Sequence, residues 1–204
     1  MLSITNLKAR LNTDRLEDGA MFNGPNIDVK GADQRNGNGL KWFSVPPAYY
    51  IKLHMHQDKW YSTDDLPPGS APILTDSNPV YSPQDIFNFM KLFSYTGSIN
   101  TTDMLVSRLG TFAMMINDAD KATSAYNLLN ENEGENAIAL KFMDDYKKII
   151  GTDIGIDSDE EKAQGIVKFI NTVKVNGKPL GISLYKATYD TNGQITNWTN
   201  TQNL

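Results

Sequence analysis

The chain has 204 residues, 40% of them hydrophobic, and no run approaches the about 20 consecutive apolar residues of a membrane-spanning helix, which excludes such a segment. It has no cysteine, so disulfide frameworks, thiolate zinc sites and thiol nucleophiles are excluded too. The formal net charge is -5, and neither half is basic, with 9 basic and 10 acidic residues in 1–100 and 10 and 14 in 101–204; the phosphate-neutralising excess that nucleic-acid binding needs is missing.

The length suits a single domain with a real core. Residues 1–8 lack the charged start and apolar stretch of a signal peptide, which points to a cytoplasmic protein or to a domain of a larger exported one. Leu2, Ile4, Leu7 and Leu11 recur at near-helical spacing and predict a short amphipathic helix over 3–15. A helix of that size is marginal alone and must pack on a neighbour. Residues 18–39 are rich in Gly and Asn. Within them, 20–23 and 27–30 read as strands joined at Gly24-Pro25-Asn26, and 31–39 as a loop.

The run Tyr49-Tyr50-Ile51-Lys52-Leu53-His54-Met55-His56 gives the clearest strand signal of the first half, dense in aromatic and branched residues after Pro46-Pro47. Residues 57–81, with Pro67, Pro68, Gly69, Pro72 and Pro79, read as a long loop; structureless loops of that length in a compact domain are functional or disordered. Ser82-Pro83-Gln84-Asp85 then opens a helix: Ser suits the N-cap, Pro the first turn, and Asp the positive end of the helix dipole. Ile86, Phe89, Met90 and Phe93 supply its apolar face, and Gly97 ends it.

Strands are predicted at 104–109 and 111–116, helices at 118–130, 135–150 and 158–173, and final strands at 180–189 and 195–198. The mixture defines an α+β or α/β fold with a helical segment in its second half. The aromatics Trp42, Phe43, Tyr49, Tyr50, Trp60 and Tyr61 around the histidines read as packing residues, with an aromatic-lined groove as the alternative. The acidic stretch 131–135 lacks the alternating ligand pattern of a calcium loop.

One count directs attention to chemistry. The chain has two histidines, His54 and His56, two apart on a predicted strand. Side chains alternate across a strand, so both imidazoles face one side, close enough to share a metal ion. Such a pair also fits an ordinary polar strand face. Open catalytic zinc sites use three protein ligands. With no other His or Cys, the third must be a carboxylate, and Asp58, Asp64, Asp65, Asp76 and Asp85 all follow. Asp85 has the advantage of a rigid helix terminus, although helix capping accounts for it equally well. A metal hydrolase also needs a general base, and Glu17 is the sole Glu before residue 131.

A Glu, then His-x-His on a strand, then Ser-x-x-Asp opening a helix resembles the JAMM (JAB/MPN) metallopeptidase domain, most of all its divergent bacterial JAB-like branch. The resemblance covers about residues 16–117 of the 204 and implies an α/β fold, with a curved mixed sheet flanked by helices as in JAMM and cytidine deaminase folds. The helices at 118–173 are an addition without a counterpart. It also implies zinc as cofactor, with His54, His56 and Asp85 as ligands. Glu17 is then the base for the attacking water, and Ser82 stabilises the oxyanion. The implied activity is hydrolysis of peptide or isopeptide bonds in a peptide or protein substrate. Two departures stand out. Gln57 occupies the position where the family carries Pro, and 25 residues rather than about seven separate His56 from Ser82. They favour an alternative, a JAMM-like binding or structural module without activity.

Overall fold

The structure is a computed structural model that describes residues 4–13, 17–23, 26–30, 35–36, 39–40, 49–62, 67, 69–131, 135–151 and 158–203. In chain order the elements are α1 (Ile4–Arg10), β1 (Gly19–Asn23), β2 (Asn26–Lys30), β3 (Arg35–Asn36), β4 (Gly39–Leu40), β5 (Ile51–Met55), β6 (Lys59–Ser62) and β7 (Ile73–Asp76). There follow α2 (Pro83–Thr96), β8 (Thr102–Ser107), β9 (Gly110–Ile116), α3 (Ala119–Asn130), α4 (Ala137–Ile150) and α5 (Asp159–Thr172). The chain closes with β10 (Lys174–Val175), β11 (Lys178–Pro179), β12 (Ile182–Tyr189), β13 (Ile195–Asn200) and a 3-10 turn at Thr201–Asn203. The architecture is α/β, as expected: a mixed sheet flanked by helices.

Seven strands form the main sheet in the order β13-β12-β9-β8-β5-β1-β2. Every neighbouring pair is antiparallel except β5 and β8, which run parallel with His54 opposite Leu105 and Lys52 opposite Asp103. A parallel pair needs a crossover, and α2 provides it. That crossover decides where chemistry can sit. It brings the N-terminus of α2 back near the C-terminal end of β5, the end at which open α/β sheets bind ligands.

The helix start is built as its residues dictate. Ser82 is the N-cap with φ -76° and ψ 163°, its side chain accepts from the Asp85 N–H, and the Asp85 side chain returns the bond to the Ser82 N–H. Gly97 closes the helix at φ 62° and donates its N–H to the Phe93 carbonyl.

Alternation along β5 and β8 divides the core between the two sheet faces. Leu53, Met55 and Val106 point toward α1 and pack with Leu7 and Leu11. Leu105 points the other way, into the larger core with Ile86, Phe89 and Met90 of α2, Phe112 and Met114 of β9, Phe142 and Tyr146 of α4, Phe169 of α5 and Leu184 of β12. Each such fully buried side chain contributes about 1.5–3 kcal/mol by area removed from water. Lys52 and His54 share the face of that larger core, at its edge.

Several boundaries differ from expectation. Helix α1 spans Ile4–Arg10 only, shorter than the expected 3–15. The stretch 57–81 is not structureless. Strands β6 and β7 pair within it, Lys59 opposite Asp76 and Ser62 opposite Ile73, and the prolines that suggested a loop fall outside both strands. A short ladder likewise joins β3 and β4, Arg35 opposite Leu40 and Asn36 opposite Gly39, across the end of the expected 31–39 loop. The β10–β11 hairpin was not expected, although Asn176-Gly177 carries its signature; both residues have positive φ, at 49° and 78°. Trp42, Phe43, Asp64 and Asp65 lie outside the described residues.

Candidate metal centre

Strand β5 and the residue after it place both histidines. His54 and His56 are buried, with ring centroids 5.2 Å apart and planes inclined at 64°. Asp85 reaches them from α2. Its Oδ1 lies 3.6 Å from His54 Nε2 and its Oδ2 lies 3.4 Å from His56 Nε2. Among the described residues, His54, His56 and Asp85 form a group able to hold a metal ion, their donor atoms all within 4.8 Å of one another. Asp58 and Asp76 are not part of it, and Asp76 instead faces Lys59 at 3.6 Å on the exposed β6–β7 ribbon. Glu17, two residues before β1, puts its Oε1 3.6 Å from His56 Nε2. The structure therefore brings Glu17, His54, His56 and Asp85 together, and Ser82, the fifth residue singled out in the sequence, bonds to Asp85.

Each ligand is oriented by a neighbour. His56 Nδ1 is 2.9 Å from the Asn78 carbonyl, which can only accept, so the proton sits on Nδ1 and Nε2 is left to face Asp85. His54 Nδ1 lies 3.0 Å from Asp103 Oδ1 and its Nε2 3.6 Å from Asp85 Oδ1; both ring nitrogens are buried and neither makes a hydrogen bond. Asp85 Oδ2 accepts from the Ser82 N–H at 2.9 Å and from Ser82 Oγ at 2.7 Å, leaving Oδ1 turned to His54. The hydroxyl proton of Ser82 is thus engaged with Asp85, and in this arrangement the serine positions the carboxylate.

Lys52 and Asp103 are the functional neighbours that the sequence reading missed. Lys52 Nζ sits 2.8 Å from Asp103 Oδ2 and 3.9 Å from Asp85 Oδ1. Lys52-x-His54-x-His56 is visible as a period-two pattern on one strand face. Asp103, in contrast, reaches the site through the parallel β5–β8 register, for which the local sequence carries no signal.

The electrostatics follow from this crowding. Burial alone would lower the His56 pKa, but the hydrogen bond and charge of Asp85, with Glu17 and the Asn78 carbonyl behind them, push it up from 6.5 to about 9. Burial likewise opposes ionisation of Asp85, yet His56, His54 and Lys52 hold its carboxyl well below the usual range. Asp103 is lowered too: burial works against it, and Lys52 and His54 outweigh that. Asp85 and Asp103 both face Lys52, and Glu17 adds a carboxylate beside His56, so three carboxylates stand where the two imidazoles converge. Such a donor set of imidazoles and carboxylates, with buried unpartnered His54 ring nitrogens, fits a divalent cation.

Comparisons with models of known families, with curated proteins and with solved structures find no match to this chain.

Proposed function

We propose that the chain is a zinc-dependent hydrolase cleaving peptide or isopeptide bonds with an activated water, as the resemblance to JAMM metallopeptidases implies. The observation that carries this reading is the convergence of His54, His56 and Asp85 within 4.8 Å with Glu17 beside His56. Imidazole and carboxylate donors in a three-residue set are the pattern of a catalytic zinc site with an open position. A bound zinc ion supplies Lewis acidity and makes a coordinated water acidic near neutral pH.

The chain's own residues supply the rest. Glu17 is 25% exposed at its side chain, against 16% for Asp85 and 7% for His56, so it stands on the side of the site open to substrate. Its carboxylate accepts a proton from the attacking water and returns it to the leaving amine. The Asn78 carbonyl holds the His56 imidazole in the tautomer that presents Nε2, and the Asp103 carboxylate stands beside Nδ1 of His54. Ser82 holds Asp85. Should it also stabilise an oxyanion, as the resemblance implies, its bond to Asp85 must first be given up.

The test compares wild type with Glu17→Gln on a panel of unblocked peptides and Lys-linked isopeptides. The expected result is zinc retained in both and hydrolysis reduced by about 10²–10⁴-fold in the variant, the usual worth of a general base. A second reading, a metal-holding module without hydrolysis, draws support from the engaged Ser82 hydroxyl and from Gln57, buried where the family carries Pro. Zinc binding with no turnover on any substrate class would favour it.

A further inference from the structure

The helical addition contacts the metal centre through two consecutive residues of the loop returning from β7 to α2. The first is Ser77, whose carbonyl accepts from Arg108 Nη1 at 3.0 Å. Arg108 lies in the β8–β9 turn and is itself fixed by Asp159, the first residue of α5, through a two-pronged bond: Nε to Oδ2 at 2.8 Å and Nη2 to Oδ1 at 2.9 Å. The second is Asn78, whose Nδ2 donates to the Tyr146 hydroxyl of α4 at 3.1 Å. That hydroxyl donates in turn to the Tyr81 carbonyl at 2.7 Å, tying both ends of residues 78–81 to one side chain. The Asn78 carbonyl, between these two anchors, is the group that receives His56 Nδ1.

We propose that α4 and α5 are positioning elements of the metal centre, with Tyr146 and the Asp159–Arg108 pair fixing residues 77–78 so that the Asn78 carbonyl holds the His56 ring with Nε2 toward Asp85. This rests on the metal-centre reading for its purpose but not for its geometry. The packing role of Tyr146 is separable from the hydroxyl. Its ring lies 5.3 Å from that of Phe169 at 78°, a contact that Tyr146→Phe keeps. The Asp159 side chain is 45% exposed, so Asp159→Asn removes a charge from the surface without opening the core.

The experiment uses the full chain labelled with ¹⁵N-histidine. Because the chain has only two histidines, the ring nitrogens of each are separately observable. Wild type, Tyr146→Phe and Asp159→Asn are compared without zinc at pH 10, above the His56 value of about 9, and zinc dissociation constants are then measured at pH 7.5. The expected result is a smaller fraction of Nδ1-protonated His56 in each variant with His54 unchanged. Zinc affinity falls with it, by up to about tenfold, the lower end of the usual effect of outer-shell partners. Unchanged His56 signals in both folded variants would overturn the proposal, as would equal changes at His54 and His56, which mean general loosening. If Tyr146→Phe fails to fold, Asp159→Asn decides alone. If wild type binds no zinc, the metal-centre reading falls, while the His56 tautomer still decides whether the two helices position the ring.

Discussion

Asp103 stands between Lys52 and His54: its Oδ2 is 2.8 Å from Lys52 Nζ, its Oδ1 is 3.0 Å from His54 Nδ1, and all three side chains are buried. Lys52 offsets the charge that Asp103 brings into the core, and Asp103 in turn places a carboxylate oxygen against His54 Nδ1. Asp103→Leu strips Lys52 of its nearest carboxylate, leaving Asp85 Oδ1 at 3.9 Å as its ion-pair partner, and is expected to destabilise the fold by up to about 3–5 kcal/mol in urea unfolding. Adding Lys52→Met removes the buried charge, and the double variant is expected to regain much of that stability. Zinc affinity is expected to stay about 10–100-fold below wild type in both, because His54 still lacks the carboxylate beside its Nδ1. Full recovery of zinc affinity in the double variant would show that Asp103 serves only the ion pair.

The pH dependence follows from His56. Its folded pKa, about 9, lies above the ordinary 6.5, because burial, which lowers it, is outweighed by Asp85 and then by Glu17 and the Asn78 carbonyl. In zinc-stripped protein the proton on His56 therefore stabilises the fold fully below about pH 6.5, and that contribution is lost as pH rises through about 9. Zinc requires the neutral ring, so its affinity runs the other way. It is expected to climb with pH, up to about tenfold per unit, and to level off above about pH 9. Calorimetry at pH 7.5 in two buffers of different ionisation enthalpy is expected to register release of about one proton per zinc. Equal apparent enthalpies in the two buffers would contradict the assignment.

The fold has its own pressure point at Gly181, where β12 meets the start of α3. Its φ is +74°, and a Cβ placed there would lie 2.4 Å from the Asp118 carbonyl oxygen and 2.6 Å from the Ala122 nitrogen. The Gly181 carbonyl also accepts from the N–H groups of Asn117 and Asp118. Gly181→Ala combines left-handed strain, about 1–2 kcal/mol, with a clash against backbone that cannot rotate away. Thermal unfolding is expected to shift down by about 5 °C or more, given about 2–4 °C per kcal/mol for a chain of this size. A melting temperature within a degree of wild type would mean that α3 is free to move off the sheet.

Much of the site was legible because it depends on local rules. His54 and His56 share a side by strand alternation, although His56 falls one residue past the end of β5. Ser82 and Asp85 announce a helix start, and the capping box that makes them legible also fixes one carboxylate oxygen and turns the other toward His54. Lys52, Asp103 and Asn78 were not legible as partners. Lys52 and Asp103 meet through a parallel register, and Asn78 meets His56 by the return of a 22-residue excursion. The ribbon inside that excursion was hidden because its prolines mask two short alternating strands. The helices at 118–173 were legible from periodicity, but their reach into the site runs through the single side chains Tyr146 and Asp159.

The most direct measurement is the metal content of the chain purified without chelator, by mass spectrometry, beside His54→Ala and Asp85→Ala. The expected result is about one zinc per folded wild-type chain, or its recovery on titration after stripping, and at least a hundredfold weaker binding in both variants. A folded wild type that carries no zinc and takes up none on titration, or variants that bind zinc as tightly as wild type, would contradict a metal centre at His54, His56 and Asp85.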